Sequence, residues 1–297
     1  MTNSRAISDI IETLDPTSWN DGDLSSMRGR AVDALENGKV LYLPRLAFTL
    51  LPSELSFLSP AIVGAGTKNV SFNRKTGELK GAVGSNAELA AVGAMLRRYC
   101  EQSCSLVRDL LPRYAEALDI GRTSFRPVEV EGRALSARKD DSRLHIDAFP
   151  STPMGERRIL RVFTNLNLSG RGRHWRIGAQ FEDVAKEFVP KVRNRAPGSA
   201  WLMNAIGVTK GRRTRYDHMM LGVHDAMKLD EDYQRRAVQN EFDFAPGSTW
   251  VVFTDVTSHA AMGGQHLLEQ TFYLPVSAMK DVAKSPQRML ERIAARA

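Results

Sequence analysis

Two side chains with metal-binding chemistry, His145 and Asp147, stand two residues apart in the run RLHIDAF. On a strand, residues i and i+2 project from one face, so an imidazole and a carboxylate at this spacing meet the same ion. Two histidines and one carboxylate that leave coordination positions open form the facial triad of non-haem iron oxygenases. A His-x-Asp pair alone is a weak signal, because two common polar residues often meet by chance. The reading therefore turns on a third ligand.

Five later histidines are available, and their sequence contexts separate them. His174 falls in the basic stretch GRGRHWR, read as a loop, whereas His218 and His224 fall on a predicted helix and His266 lies beyond a Gly263-Gly264 turn. His259 follows the strand-like run STWVVF and the segment TDVTS, and it precedes a turn and a closing strand EQTFYLP. A double-stranded β-helix returns its last ligand to the first pair in that order. The expected metal-binding and catalytic set is therefore His145, Asp147 and His259. The chain contains no GxSxG elbow, no HExxH, no P-loop and no Rossmann glycine fingerprint, which removes the hydrolase, zincin and nucleotide-dependent readings.

The elements that must carry these residues are legible in part. Asp23 is placed to cap a helix through Leu24, Met27, Ala31, Ala34 and Leu35, with Gly38 as its stop and a strand Val40 to Pro44 after it. Ser85 and Glu88 have the spacing of a capping box, and apolar residues recur at helical period from Leu89 to Leu110. From about Thr123 onward, short runs rich in Val, Phe, Thr and Trp predict an all-β core, interrupted by a helical insertion over Tyr216 to Gln239. The expected fold class is α+β: a double-stranded β-helix (jelly-roll) core with N-terminal helices packed against it. We expect one oxygenase domain over 1–297, with mainly helical support over 1–122 and the jelly-roll core over 123–280.

Composition bounds the partners. The 297 residues are 42% hydrophobic and 25% charged, the balance of an ordinary globular protein, so function must come from sites. The net charge of +7 favours an anionic partner, but the arginines are scattered and no nucleic-acid-binding signature is present, so nucleic acid is not favoured. The first residues carry acids and do not read as a secretory signal, and the most apolar stretch, Val40 to Gly66, is broken by Pro44, Arg45, Pro52, Glu54 and Pro60. A cytoplasmic location follows as the expectation, with peripheral contact to a membrane surface. Cys100 and Cys104 share a helix face and are read as buried free thiols.

Over most of its length the chain resembles the Kdo hydroxylase family, which acts on the 3-deoxy-D-manno-oct-2-ulosonic acid (Kdo) of bacterial lipopolysaccharide. The segments that carry the likeness are ENGKVLYLP, TSFRPVEVEGR, ARKDDSRLHIDAFPS, ILRVFTNLN, YDHMMLGVHDAMK, GSTWVVFTD and SHAAMGGQHLLEQTF. The resemblance implies a jelly-roll oxygenase that uses iron(II), 2-oxoglutarate and oxygen, with ascorbate as reductant in vitro. It implies conversion of Kdo on lipid A to its 3-hydroxy analogue, with succinate and carbon dioxide as co-products. It also assigns His145, Asp147 and His259 as iron ligands by their match to the family's HxD…H pattern.

The cosubstrate anchor is less evident. Many oxygenases of this fold hold the distal carboxylate of 2-oxoglutarate with a cation on the strand after the last histidine, but here that neighbourhood reads Leu268, Glu269, Gln270 and Thr271. In RILRVFTNLN, Arg161, Phe163 and Asn165 share one strand face, and a guanidinium suits a bidentate carboxylate contact, which makes Arg161 the first choice. Arg126 in SFRPVEV is the second, and Asn165, Trp175 and Gln270 are further candidates to line the site. Arg171, Arg173, Arg176, Lys210, Arg212, Arg213 and Arg215, read as loop residues, form a candidate platform for an anionic membrane. Two other readings share parts of this pattern: a protein or peptide side-chain hydroxylase of the same fold, and a metal-free module that binds an acidic glycan.

Overall fold

The structure, a computed structural model, describes residues 4–20, 22–132, 136–192, 211 and 213–295. Eleven strands are present among them: β1 (Ile11–Thr13), β2 (Val40–Leu43), β3 (Val70–Phe72), β4 (Leu79–Lys80), β5 (Asp119–Arg126), β6 (Arg157–Asn165), β7 (Arg173–Gly178), β8 (Gln239–Phe244), β9 (Thr249–Phe253), β10 (His259–Gly263) and β11 (Leu267–Pro275). Eight form a large sheet in the order β1-β2-β9-β6-β11-β5-β3-β4, and three form a small sheet in the order β10-β7-β8. This is the two-sheet arrangement of a jelly roll, supported by helices on one side of the large sheet.

Strand parity divides the large sheet into two chemically different faces. Leu160, Val162, Val251, Phe253, Leu268 and Phe272 face the helical side, where they pack with Met95, Leu96, Tyr99 and Leu106 of the long helix Asn86–Leu110. The intervening residues Phe163, Trp250, Val252 and Leu267 face inward and meet Trp175, Ile177, Phe244 and Ala261 of the small sheet. Trp250 stacks on Phe244 with ring centroids 4.1 Å apart and on Phe163 at 5.4 Å. Aromatic contacts of this kind add to the area they bury, so the two sheets are clamped at one end. Trp175 also stacks on His259, so the functional residues adjoin this clamp.

Local signals decide where the supporting helices begin and stop. The capping box forms as the spacing requires: the Glu88 N–H donates to Ser85 Oγ at 3.3 Å, and the Ser85 N–H donates to Glu88 Oε2 at 2.7 Å. Gly38 ends the earlier helix with φ +72°, a conformation glycine adopts without a Cβ penalty. That helix is α-helical over Arg28–Glu36 and is preceded by a 3₁₀ turn over Gly22–Met27, so it is shorter than the apolar spacing suggests. The side chain of Asp23, the expected cap, lies outside the described residues.

Between β7 and β8 the expected helical insertion is two helices, Arg215–Leu229 and Glu231–Arg236, separated by Asp230, whose side chain caps the second. Gln239 opens β8 and does not close a helix. The run QNEFDF carries no β-branched side chain and so reads weakly as a strand from sequence alone. Two further helices, Phe181–Phe188 and Pro286–Ala294, pack against the insertion. Arg173 and Arg176 belong to β7 and Arg215 opens a helix, so none of the three is a loop residue, while Lys210 and Arg212 lie outside the described residues.

Candidate metal centre

His145 and Asp147 sit on a short extended segment that pairs with the start of β10. The His145 N–H donates to the His259 carbonyl at 3.0 Å, and the His259 N–H returns the bond at 2.9 Å. This reciprocal bridge is what brings a residue from before β6 against one from β10. Asp147 is fixed by donation of its N–H to the Thr254 carbonyl at 2.8 Å, so the TDVTS segment braces one ligand while it leads into another.

Each imidazole is oriented by its own backbone. His145 Nδ1 lies 2.7 Å from the Arg143 carbonyl and His259 Nδ1 lies 2.8 Å from the Thr257 carbonyl, both two residues upstream. A carbonyl accepts only, so each Nδ1 carries the proton and each Nε2 keeps its lone pair. The ligand atoms of His145, Asp147 and His259 lie within 4.8 Å of one another. Burial, with the neighbouring His259, holds His145 well below the usual histidine range, and burial lowers His259 as well. For Asp147, burial acts to raise the carboxyl, but the Arg161 guanidinium outweighs it and holds the group ionised. Two neutral imidazoles and one carboxylate are the donor set that a non-haem iron site requires.

The triad opens into a cavity of about 220 Å³ lined by residues that include Arg126, Asp141, Phe149, Arg161, Phe163, Arg173, Trp175 and Glu269. Arg161 places one terminal nitrogen 3.0 Å from Asp147 Oδ2 and the other 3.0 Å from Glu269 Oε1. Arg126 meets Glu269 Oε2 at 2.7 Å. Glu269 stays ionised because Arg161 and Arg126 outweigh the cost of its burial. Trp175 stacks on His259 with centroids 5.0 Å apart and planes 23° from parallel. Trp175 Nε1 and Arg161 Nε are buried with no hydrogen-bond partner among the described residues. Such donors are costly unless a ligand supplies the acceptor, and a small dicarboxylate fits that need.

Two sequence candidates are elsewhere. Gln270 lies on the helical face of β11, where its Oε1 accepts from Thr123 Oγ1 at 2.6 Å. The side chain that faces the cavity at this point is its neighbour Glu269, because adjacent strand residues point to opposite faces. Asn165 shares the inward parity of Arg161, but it ends β6 and spends its amide on the carbonyls of Arg171 and Phe244 at 3.2 and 3.1 Å. Sequence reading also missed Arg173 and Glu269 as cavity residues. The alternation Arg173, Trp175, Ile177 was the available signal for the first, obscured by the surrounding glycines.

The competing histidines are separated by the fold. His174 is on the outer face of β7, 3.7 Å from Glu241, and His266 occupies a turn with φ +61°. His224 comes close, since its ring packs edge-on against His145 at 5.7 Å, but its Nδ1 is engaged 3.0 Å from Asp225 Oδ1. His218 lies on the same insertion helix and does not line the cavity.

A jelly roll that presents two imidazoles and a carboxylate beside a cation-lined cavity has the architecture of the non-haem iron oxygenases. The sequence matches the 3-deoxy-D-manno-oct-2-ulosonic acid (Kdo) hydroxylase family over residues 18–297, and the chain belongs to that family. It is similar to a solved Kdo hydroxylase, KdoO, a non-haem Fe(II) α-ketoglutarate-dependent dioxygenase, in complex with α-ketoglutarate and Fe(III). The identity is 46%, 96% of each chain is covered, and the TM-score is 0.93. Structures of KdoO with cobalt(II), at 47% identity and TM-score 0.93, and with succinate and Fe(III), at 46% and 0.92, match equally well. No curated protein sequence matches the chain.

Proposed function

We propose that the protein hydroxylates the Kdo sugar of Kdo-bearing lipid A at carbon 3, giving the 3-hydroxy analogue, with succinate and carbon dioxide as co-products. The observation that carries this reading is the buried His145, Asp147 and His259 cluster at the floor of a cavity lined by Arg126, Arg161 and Arg173. The family's substrate name supplies the target, since carbon 3 of a 3-deoxy sugar bears hydrogen where its neighbours bear oxygen. Bound iron(II) with 2-oxoglutarate and molecular oxygen would supply oxidative decarboxylation, one oxygen atom going to succinate and the other into a carbon–hydrogen bond.

The protein's own part is placement and charge. His145, Asp147 and His259 hold the metal, with their tautomers set by the Arg143 and Thr257 carbonyls. Arg161 and Arg126, with Arg173 and Trp175 beside them, bind the anionic cosubstrate. Arg161 remains the first choice as its anchor because its unpartnered Nε and its contact with Asp147 place the guanidinium next to the metal. The cavity is smaller than the roughly 300–1,000 Å³ of drug-sized pockets, so it suits the cosubstrate and leaves the lipid outside. No helix among the described residues is long and apolar enough to cross a membrane. We place the enzyme peripherally at the inner face of the cytoplasmic membrane, held by its basic surface. The match to a sugar-acid hydroxylase family does not favour the peptide hydroxylase or glycan-binding readings.

The direct test is an assay of purified protein with iron(II), ascorbate, 2-oxoglutarate and oxygen on Kdo-bearing lipid A. One added oxygen atom in the lipid, detected by mass spectrometry with matching succinate, is the expected result. Oxidation of a peptide with none of the Kdo lipid overturns it.

A further inference from the structure

Asp141 lines the metal cavity from the segment that leads to His145. Its backbone is fixed, because its carbonyl accepts from the Ala261 N–H of β10 at 2.8 Å. Three cations from separate parts of the chain surround the carboxylate: Lys68 Nζ at 3.6 Å, Lys228 Nζ at 3.8 Å and Arg126 Nη1 at 4.0 Å. All stand beyond the roughly 2.7–2.9 Å of a charge-assisted hydrogen bond. Each also has another partner. Arg126 meets Glu269, Lys68 donates to the Lys139 carbonyl, and Lys228 donates to the Arg138 carbonyl.

The three acids that line this cavity are therefore not equivalent. Asp147 is in contact with Arg161, and Glu269 is gripped by Arg161 and Arg126. Asp141 has no hydrogen bond to its carboxylate among the described residues, and its side chain is 36% exposed. Burial works against its ionisation, but Arg126, Lys68 and Lys228 outweigh that and hold the carboxyl below the usual range. The result is an ionised acceptor at the cavity wall that no protein donor occupies among the described residues. Such a group accepts and does not donate, which selects for hydroxyl or N–H donors on a bound molecule.

We propose that Asp141 is a specificity-determining residue that accepts a hydrogen bond from the sugar hydroxyl on carbon 4, next to the carbon that reacts. This rests on the function proposed above. The cosubstrate brings carboxylates and no hydroxyl, so of the two bound molecules only the sugar offers Asp141 a hydroxyl donor. A bond to the neighbouring hydroxyl fixes the ring with one face of carbon 3 toward the metal. Lys68, Lys228 and Arg126 keep the acceptor charged without occupying it.

The test compares Kdo-bearing lipid A with its 4-deoxy analogue, using full-length iron-loaded enzyme with 2-oxoglutarate. Wild-type enzyme should lose about 10- to 100-fold in kcat/KM on the analogue, the value of one hydrogen bond to a charged group. Asp141→Ala should lose a similar factor on the parent substrate and then discriminate by less than about threefold, as expected when the interacting partner is already gone. Asp141→Asn, which keeps a neutral acceptor, should fall between the two. Affinities for cobalt(II) and 2-oxoglutarate, read by titration calorimetry, should stay close to wild type in both variants. Unchanged discrimination in Asp141→Ala overturns the assignment, as does a loss of metal or cosubstrate affinity as large as the loss on substrate. A wild-type enzyme inert toward Kdo-bearing lipid overturns the proposed function and this role with it.

Discussion

Arg161 stands 3.0 Å from Asp147, on the carboxylate oxygen Oδ2, while Asp147 Oδ1 is the oxygen 3.9 Å from His145 Nε2. One oxygen thus faces the guanidinium and the other faces the His145 imidazole. Removing Arg161 takes away both a candidate cosubstrate anchor and the group that orients a metal ligand. Arg161→Ala should therefore weaken 2-oxoglutarate binding and also cost about 10- to 100-fold in metal affinity, the usual range for an outer-shell partner. Arg126, which meets Glu269 and not the triad, should when changed to Ala weaken 2-oxoglutarate and leave metal affinity near wild type. Calorimetric titrations of cobalt(II) and then 2-oxoglutarate separate the two, and intact metal affinity in Arg161→Ala would count against the orienting role.

His145→Ala, Asp147→Ala and His259→Ala should each abolish turnover and bound metal while leaving the melting profile of the metal-free protein cooperative, because the open centre is functional and not a structural staple. The control is His266→Gly. His266 adopts φ +61°, so Gly is tolerated there where Ala adds backbone strain. Loss of metal in His266→Gly with retention in His259→Ala would reverse the assignment of the last ligand.

The triad was legible because it depends on two things a sequence displays: the i, i+2 spacing of His145 and Asp147, and the order of strands around His259. Arg161 and Arg126 were legible for a similar reason, as long cations at strand positions of a barrel. Gln270 and Glu269 were not separable, since adjacent residues on one strand exchange faces with a shift of one position and register is fixed only by pairing. Here Glu269 lies opposite Phe163 and Ser124, both on the inward side, while Gln270 lies opposite Val162 and Thr123. Asn165 failed differently. Its parity was right, but it ends its strand, where its amide is drawn into closing the turn that follows. Asp141 left no signal in sequence, because its role depends on Lys68, Lys228 and Arg126, which are brought together only by the fold.

Asp217 joins the insertion to the loop that follows the metal ligands. Its Oδ1 accepts from the Met154 and Gly155 N–H groups at 2.6 and 3.0 Å, and its Oδ2 accepts from the Thr214 N–H and hydroxyl at 2.8 Å each. Asp217→Ala strands buried donors on two segments at once and should destabilise the protein by about 2–4 kcal/mol. Asp217→Asn should recover part of this. Urea titrations measure both, and a change below about 0.5 kcal/mol, the scale of an ordinary surface substitution, would refute the tie.

The pH dependence of the metal-free protein follows from the buried imidazoles. His145 and His259 titrate below the unfolded value of about 6.5, so below that pH the unfolded chain binds protons that the folded chain refuses. Stability should be flat above about pH 7 and fall as pH drops through 6.5, since it rises with pH wherever the unfolded state holds more protons. A second loss should follow below about pH 4, where the unfolded chain takes up protons at Asp147, Asp141 and Glu269, which their cationic neighbours hold lowered in the folded protein. Melting temperatures recorded across this range test the sign, and rising stability between pH 7 and 5 would contradict it.

The lipid portion of the substrate should matter through charge. The cavity is sized for the cosubstrate, so the phosphorylated lipid must lie outside it, against a chain whose net charge is +7. Free Kdo reaches the metal but forgoes that outer contact, so it should react with a higher KM and a similar kcat. Each basic group near an anionic surface contributes about 1 kcal/mol at low salt, and screening shortens its reach to about 8 Å at physiological ionic strength. Raising salt should therefore increase KM for the Kdo lipid steeply and leave KM for free Kdo and for 2-oxoglutarate little changed. Initial rates on both substrates across a salt series provide the comparison. Equal salt dependence for the two would show that the basic surface takes no part in holding the lipid, and the enzyme would then recognise the sugar alone.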